Sequence, residues 1–222
     1  MKLTRARFLN QEILEFQVGL FTHYNELIPE KHESKKDIIV HIIHEGNLII
    51  ERMAKDIHEG FEAESMTILC ILKGGFKFCQ DLMHFIKAIN RNSGKSIQLG
   101  LDFLRVRSYK NEQSCDITIE GSDDLTRLKE KNVLIVEDIV DTGRTMQKLL
   151  ATLQQYQPKS IKVATLLVKR RPDSTGYKPD YIGFETPNKF LGGYALDYNE
   201  YFRDMDHICV VNDAGKKKYA IR

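Results

Sequence analysis

Three carboxylates lie next to a potential phosphate-binding loop in the segment VLIVEDIVDTGRT, residues 133–145. Glu137 and Asp138 follow four apolar residues, which are typical of a buried strand. A helix that begins near Gly143 would turn its unpaired backbone N–H groups and the positive end of its dipole toward a phosphate. Hydroxyl groups in the same loop would add hydrogen-bond donors. The predicted phosphate loop is centred on Thr142, Gly143 and Thr145.

The carboxylates require a ligand group other than the phosphate, because bare acids would repel it. Glu137 and Asp138 could instead bind hydroxyl groups of the same ligand, or a divalent cation that bridges them. A sugar phosphate satisfies both halves of the motif. Neither the Walker sequence GxxxxGK(S/T) nor the dinucleotide sequence GxGxxG occurs here, so those classes of phosphate site are excluded. The alternative is a plain helix N-terminus capped by Asp141, although a cap does not require two preceding acids.

Alternating apolar and helical segments predict an α/β fold with a parallel sheet. The apolar runs at 67–72, 132–136 and 161–168 are typical of strands that are buried on both faces. Helices are predicted after the first two runs, in FKFCQDLMHFIKAIN and GRTMQKLLATLQQYQ. Such alternation places helices on both faces of the sheet, and ligands bind at the carboxyl ends of its strands. The predicted ligand-binding rim comprises the loops at 73–75 and 137–145 and the residues after 168.

Other segments extend this predicted core. Apolar residues at helical spacing predict a helix over 47–60, which Gly60 can end. A long strand is predicted over 97–109, and the polar segment 110–124 is predicted to be a mobile flap that contains a short strand. Shorter strands are predicted at 181–184, 193–197 and 207–211.

Composition and charge narrow the class of protein. The chain has 222 residues, 42% of them hydrophobic, which is enough for one sizeable domain. Its net charge of +2 gives no reason to expect nucleic acid or a membrane as partner, and no apolar run approaches the ~20 residues of a membrane span. The N-terminus lacks the apolar region of a secretory signal. The four cysteines show no metal-binding or CxxC spacing, so a cytoplasmic location is expected, with Cys70 in the core.

The motif VLIVEDIVDTGRT resembles the phosphoribosyl-diphosphate binding motif of the type I phosphoribosyltransferases. Further segments resemble the hypoxanthine-guanine phosphoribosyltransferases, namely LKGGFKF, LDFLRVRSY, LLVKR, YKPDYIGFE and GYALDYNEYFRD, over residues 48 to 219. The resemblance implies one phosphoribosyltransferase domain over 1–222, with a doubly wound parallel-sheet core at about 47–185. It also implies a small hood, formed by the N-terminal segment and about 186–222, and an antiparallel flap.

By this resemblance the protein would be a purine-salvage enzyme. It would transfer the 5-phosphoribosyl group of 5-phosphoribosyl 1-diphosphate to N9 of hypoxanthine or guanine, with Mg²⁺ as cofactor, and would form a homodimer or homotetramer. A non-catalytic nucleotide-sensing member of the same fold is one alternative, which the presence of Asp141, Lys73 and Arg203 argues against. An adenine, orotate or uracil transferase is another, which Lys169 and Phe190 argue against.

The resemblance also implies roles for single residues. Asp141 would be the general base near N7 of the purine, and Glu137 and Asp138 would hold the ribose hydroxyls, partly through Mg²⁺. The 5′-phosphate would be cradled by Asp141, Thr142, Gly143, Arg144 and Thr145. The loop that contains Lys73 and Gly74 would bind diphosphate, and in this family a cis peptide bond precedes the lysine, here at Leu72–Lys73. Arg203 would also contact the diphosphate, and Asp197 would carry a second Mg²⁺.

The purine-binding and flap residues follow from the same resemblance. Lys169 would donate to the 6-oxo group of the purine, and Phe190 would stack on the ring. Backbone groups of Leu191 and Asp197 would read the edge of the base. Ser108 and Tyr109 would belong to a flexible loop that closes over the site and excludes water.

Three features depart from the common pattern of this family. Gly192 stands where a bulkier aliphatic residue is frequent, beside the purine pocket, so the base preference could differ. Arg171 and Asp173 stand where threonine and arginine are frequent, so the environment of the diphosphate or of a subunit interface could differ. The flap after Tyr109 is one residue shorter than in vertebrate members, which could alter its closure.

Overall fold

The structure is a computed structural model, and it describes residues 47–61, 65–94, 96–110, 115–120 and 124–221. The predicted contribution of the N-terminal segment to a hood lies outside these residues. Parts of the predicted flap, at 111–114 and 121–123, also lie outside them.

The main sheet is parallel apart from one hairpin. Its strands are β1 (Ser65–Leu72), β2 (Gln98–Lys110), β3 (Cys115–Glu120), β4 (Asn132–Val140), β5 (Ser160–Arg170) and β6 (Tyr181–Pro187). Within the described ranges these six strands lie in the order β3-β2-β1-β4-β5-β6. Neighbouring strands are parallel except β2 and β3, which pair antiparallel. The predicted parallel α/β core and the predicted antiparallel flap are both confirmed.

Helices cover both faces of this sheet. They are α1 (Asn47–Gly60), α2 (Gly75–Asn92) and α3 (Arg144–Gln154), and a 3₁₀-helix spans Leu125–Leu128. Successive strand residues point to opposite faces. Leu69 and Ile135 therefore pack with Leu149 of α3, whereas Cys70 is hydrogen-bonded to Cys79 of α2. None of the helices in the described ranges combines the length and apolar composition that a membrane crossing requires.

Three cysteine thiols are buried among the side chains that the structure describes. Cys70, Cys79 and Cys209 are free and buried, which confirms the prediction for Cys70. The hydrogen bond with Cys79, together with burial, raises the pKa of Cys70, and burial raises the pKa of Cys209 to about 12. Cys70 and Cys209, protonated and shielded, behave as small apolar groups of the core.

Residues 189–221 belong to a second compact unit, whereas residues 47–188 belong to the first. The second unit has two short antiparallel strands, β7 (Leu191–Gly192) and β8 (Cys209–Val210), followed by α4 (Asp213–Lys218). Its small core contains Phe202, Met205, Cys209 and Val211. The organisation of the whole chain as one domain with a hood stays a prediction.

The predicted strand at 193–197 is wrong, because the chain turns there. Gly193 and Leu196 exchange both backbone hydrogen bonds at 3.0 Å. Gly193 has a φ of +94°, and Tyr194 and Ala195 also have positive φ. These dihedral angles lie outside the β region, so a strand cannot pass through them. The predicted strand at 207–211 is shortened to β8.

Candidate functional site

The acids of the central motif lie at the rim of the sheet. β4 continues to Val140, beyond the predicted end at Val136, because its pairing with β5 extends to Val140 and Val168. Its pairing with β1 ends at Val136. Glu137 and Asp138 therefore lie in the part of β4 that has lost one neighbour, at the edge where ligands of parallel sheets bind.

Glu137 and Asp138 form a partly buried pair of like charges. The Asp138 N–H donates to Glu137 Oε1 at 3.3 Å, and the Ile139 N–H donates to Asp138 Oδ1 at 2.8 Å. Burial, and then the charge of Asp138, raise the pKa of Glu137 well above its ordinary value of 4.5. Such a pair favours a cation or hydroxyl donors as its ligand.

The two acids fit a magnesium ion that is shared with a substrate. Among the residues that the structure describes, no group of three His, Cys, Asp or Glu side chains is arranged to hold a metal ion. Mg²⁺ commonly takes only one or two carboxylates from the protein and fills its octahedron with water and substrate phosphates. Glu137 and Asp138 are therefore enough protein ligands for such a magnesium site.

The loop between β1 and α2 lies directly against Asp138. The Leu72–Lys73 peptide bond is cis, as the family resemblance implied. Gly74 follows with helical dihedral angles, φ −62° and ψ −38°. A Cβ atom on Gly74 would lie 2.7 Å from Asp138 Cγ and closer still to Asp138 Oδ2. A side chain at position 74 would displace the Asp138 carboxylate, which occupies that space.

The predicted phosphate loop leads into α3, which begins at Arg144. Its N-cap is Gly143, with a φ of +85° and no side-chain hydrogen bond to the helix. The alternative that Asp141 caps this helix is therefore wrong. The Arg144 N–H lies 3.4 Å from Thr142 Oγ1. The first turn of α3 thus begins without a capping carboxylate, and this arrangement suits an anion.

Asp141 contacts two cations instead of the helix. Arg171 Nη1 donates to Asp141 Oδ1 at 2.9 Å, and Lys169 Nζ lies 3.5 Å from Asp141 Oδ2. The Asp141 side chain is 45% exposed, so it is accessible to a ligand. The structure thereby brings together two residues, Asp141 and Lys169, to which the family resemblance gave contacts with neighbouring atoms of the purine.

Arg171 is itself held by a second acid. Its Nε and Nη2 donate to the two oxygens of Asp173 at 2.8 and 2.7 Å. These bonds hold the pKa of Asp173 below its ordinary value, and the bonds with Asp173 and Asp141 raise that of Arg171. Both residues stand out in the sequence only as departures from a family pattern. The contact of Arg171 with Asp141 joins positions 30 residues apart, and no local signal in the sequence indicates it.

In the second unit, the predicted diphosphate residue and the predicted metal ligand contact each other. Arg203 Nη2 lies 2.7 Å from Asp197 Oδ1, and Arg203 Nη1 donates to the Ala195 carbonyl at 2.7 Å. The Glu200 N–H donates to Asp197 Oδ2 at 2.8 Å. Arg203 is thus held in place by the turns around it, next to the acid whose charge it balances.

The predicted purine-stacking residue carries an accessible ring. Phe190 is 40% exposed, and its ring packs edge-on against Tyr198 with 5.2 Å between centroids. Leu191 follows it in β7 and is buried. A Cβ on Gly192 would lie 3.1 Å from Val211 Cγ2. The side chain that is missing at position 192 would therefore point into the small core of this unit.

The two predicted flap residues lie in the β2–β3 hairpin. Ser108 is paired with Ile117, and Tyr109 with Asp116. Both belong to the far end of β2, beyond the segment that pairs with β1, which stops at Arg105. The hairpin is thus a two-stranded extension of the sheet.

Comparisons with known proteins agree with this fold. The family model described as "Phosphoribosyl transferase domain" matches residues 39–199. The hypoxanthine-guanine phosphoribosyltransferase of Homo sapiens is 58% identical over 170 residues, which cover 76% of this chain and 78% of that protein. The enzyme of Mus musculus is 57% identical over the same length and coverage.

Two solved structures share the fold. The hypoxanthine-guanine phosphoribosyltransferase of Schistosoma mansoni, solved in complex with IMP, has a TM-score of 0.65 and 41% identity, and the match covers 78% of this chain and 80% of that one. A hypoxanthine-guanine phosphoribosyltransferase of Bacillus anthracis has a TM-score of 0.67 and 29% identity, over 79% of this chain and 100% of that one. The chain belongs to the phosphoribosyltransferase family, and within it to the hypoxanthine-guanine phosphoribosyltransferases.

Proposed function

We propose that this protein is a purine-salvage enzyme that transfers the 5-phosphoribosyl group of 5-phosphoribosyl 1-diphosphate to N9 of hypoxanthine or guanine. The products are IMP or GMP and diphosphate. The observation that carries the proposal is the 3.5 Å approach of Lys169 Nζ to Asp141 Oδ2, beside the anion-binding end of α3. A 6-oxopurine presents an acceptor at O6 next to an N7–H donor, and an ammonium beside a carboxylate complements that pair.

In the proposed reaction, N9 bonds to C1 of the ribose while the bond from C1 to the diphosphate oxygen breaks. The electron pair of that bond leaves with the diphosphate, and positive charge develops on the ribose. Asp141 accepts the N7 proton as general base. A positioned carboxylate in this role typically contributes about 10²–10⁴-fold to the rate.

The sugar phosphate is proposed to bind along the rim of the sheet. Its 5′-phosphate lies in the loop formed by Asp141, Thr142, Gly143, Arg144 and Thr145, at the N-terminal end of α3. Glu137 and Asp138 bind the ribose hydroxyls. The diphosphate lies on the loop that contains Lys73 and Gly74, where the close approach of Gly74 to Asp138 joins the two subsites.

Mg²⁺ is the proposed cofactor, held by Glu137 and Asp138, with Asp197 carrying a second ion. When bound, the ions neutralise charge on the diphosphate. Arg203 binds the diphosphate through its fork of donors. Because Arg203 lies 2.7 Å from Asp197, an anion that takes over the guanidinium leaves the Asp197 carboxylate available to a cation.

The purine is proposed to stack on the exposed ring of Phe190, with its edge read by backbone groups of Leu191 and Asp197. Lys169 selects a 6-oxo group over the 6-amino group of adenine, because a lysine ammonium can only donate. Ser108 and Tyr109 close over the ligands and exclude water. A cytoplasmic location and a homodimeric or homotetrameric assembly are further proposals, which rest on the family resemblance alone.

The decisive experiment is an assay of all four purine bases (hypoxanthine, guanine, xanthine and adenine) with 5-phosphoribosyl 1-diphosphate, with and without Mg²⁺. We expect Mg²⁺-dependent formation of IMP and GMP and no AMP. The Asp141→Asn variant should bind the sugar diphosphate but lose about 10²–10⁴-fold in turnover. Nucleotide binding without any turnover by the wild type would instead support a non-catalytic sensor, an alternative that none of the comparisons supports.

A further inference from the structure

We propose that Arg171 is a positioning residue for Asp141, and that Asp173 in turn holds Arg171 in the required orientation. The inference rests on the proposed role of Asp141 as the general base. It assigns a task to a loop between β5 and β6 that contributes no residue to the substrate contacts proposed above.

The geometry of the guanidinium supports this role. Nε and Nη2 of Arg171 bind both oxygens of Asp173 at 2.8 and 2.7 Å. A guanidinium is a rigid plane, so two bonds to one carboxylate determine where its remaining nitrogen points. That nitrogen, Nη1, donates to Asp141 Oδ1 at 2.9 Å. The Arg171 side chain is 23% exposed, which leaves it shielded along most of its length.

The loop that carries Arg171 is braced against the phosphate loop. The Thr175 N–H donates to the Thr142 carbonyl at 2.9 Å. A Cβ on Gly143 would lie only 2.7 Å from Thr175 Oγ1 and 3.0 Å from Tyr177 Cβ, so the two loops pack closely there. Arg171 therefore approaches Asp141 from a segment that one backbone hydrogen bond and close side-chain packing hold against the phosphate loop.

The two cations on Asp141 have different tasks during turnover. Lys169 contacts Oδ2, and this is the lysine that the 6-oxo group of the purine would engage. Once a purine binds, Lys169 is shared with the substrate and its hold on Asp141 weakens. Arg171 keeps its hydrogen bond to Asp141 Oδ1, because Asp173 restrains the guanidinium. The other carboxylate oxygen, Asp141 Oδ2, therefore faces the N7 proton in a single orientation. A base that is free to rotate would meet the proton less often in a reactive geometry.

The test compares Arg171→Gln, Arg171→Lys and Asp173→Asn with the wild type in steady-state assays. We expect Arg171→Gln to lower kcat about tenfold, below the ~10²-fold that a 1 Å misplacement can cost, with the KM for 5-phosphoribosyl 1-diphosphate unchanged. Arg171→Lys should restore part of the loss, since it keeps a donor but not the fork. Asp173→Asn should act in the same direction and add little in the double variant, because both changes release the same group.

Two controls isolate the positioning role. The exposed neighbour Arg170, changed to Ala, should leave kcat at the wild-type value. In an Asp141→Asn background, Arg171→Gln should cause no further loss, because the residue it positions no longer acts as a base. A wild-type kcat in Arg171→Gln, or an equal additional loss in the Asp141→Asn background, would overturn the inference.

A readout without turnover separates this inference from the proposed function. A crystal structure of Arg171→Gln should show the Asp141 carboxylate rotated or in more than one conformer, as a free side chain adopts several rotamers. An Asp141 carboxylate that stays in its wild-type orientation refutes the positioning role, whatever the activity. Failure of the wild type to form IMP or GMP would refute the proposed function alone.

Discussion

Replacement of Gly74 by alanine tests the contact that links the proposed diphosphate loop to the proposed ribose-binding acids. The backbone at position 74 has helical dihedral angles, so alanine introduces no conformational strain there. Its Cβ would lie 2.7 Å from Asp138 Cγ, however. Two carbon atoms pack best at about 3.5–4.0 Å, so Asp138 Cγ must move by about 1 Å, and Oδ2, which lies closer still, must move further.

The displacement should affect activity much more than stability. Movement of Asp138 breaks its hydrogen bond with the Ile139 N–H, at a cost of about 0.5–1.5 kcal/mol. The smaller conformational entropy of alanine in the unfolded chain offsets about 0.4–1 kcal/mol of this. A 1 Å misplacement at a reacting centre can cost about 10²-fold, which corresponds to about 2.7 kcal/mol of transition-state stabilisation.

The assay measures kcat/KM for 5-phosphoribosyl 1-diphosphate and the free energy of unfolding in urea. We expect Gly74→Ala to lower kcat/KM about 10²-fold and to change stability by about 1 kcal/mol or less. Gly94→Ala is the matched control, because a Cβ at position 94 would have no atom within 4 Å of it. In an Asp138→Ala background, Gly74→Ala should have little further effect. Wild-type kcat/KM in the single variant would show that the Asp138 carboxylate does not need this position.

Three further outcomes are expected. Lys169→Ala should let adenine compete with hypoxanthine and guanine, and an unchanged preference for 6-oxopurines in competition assays would contradict the role of the lysine. Gly193→Ala should destabilise the protein by about 3 kcal/mol or more in urea unfolding, because its Cβ would clash with the His207 backbone and the position has a positive φ. The control Gly176→Ala should destabilise it less, because that position has a positive φ but no atom near the added Cβ. In ligand-free protein with EDTA, Glu137→Gln should raise Tm by an amount that grows with pH. Between pH 4.5 and the raised pKa of Glu137, the folded state binds more protons than the unfolded chain, so the stability of the wild type falls as the pH rises through this range. An equal gain in Tm at about pH 4 and about pH 8 would be inconsistent with this reasoning.

The parallel core can be predicted from the sequence because its signals are local. Three apolar runs with helices after two of them specify buried parallel strands, and these correspond to β1, β4 and β5. Strand ends are less predictable. β4 extends to Val140 because β5 continues to pair with it there, and pairing partners are not visible in a single segment. The turn at Gly193 resembles a strand in sequence because it contains a short apolar run, Tyr194 to Leu196.

The candidate site also contains residues that can be predicted from the sequence and residues that cannot. Glu137, Asp138 and the phosphate loop are contiguous, so the sequence alone is enough to group them. Asp141 also stands out in the sequence, but its partners do not. A carboxylate before a helix most often caps it, and only the position of β5 beside β4 makes Lys169 and Arg171 its neighbours.

The residues of one short segment were thus enough by themselves to predict a phosphate site next to acids, since one strand end, one loop and one helix start suffice for that chemistry. Only the tertiary structure decided which side chains surround those acids. Gly74 against Asp138 and Arg171 against Asp141 are contacts between segments that are distant in the chain. They depend on the order of strands in the sheet, and that order follows from packing of the whole core rather than from any local pattern.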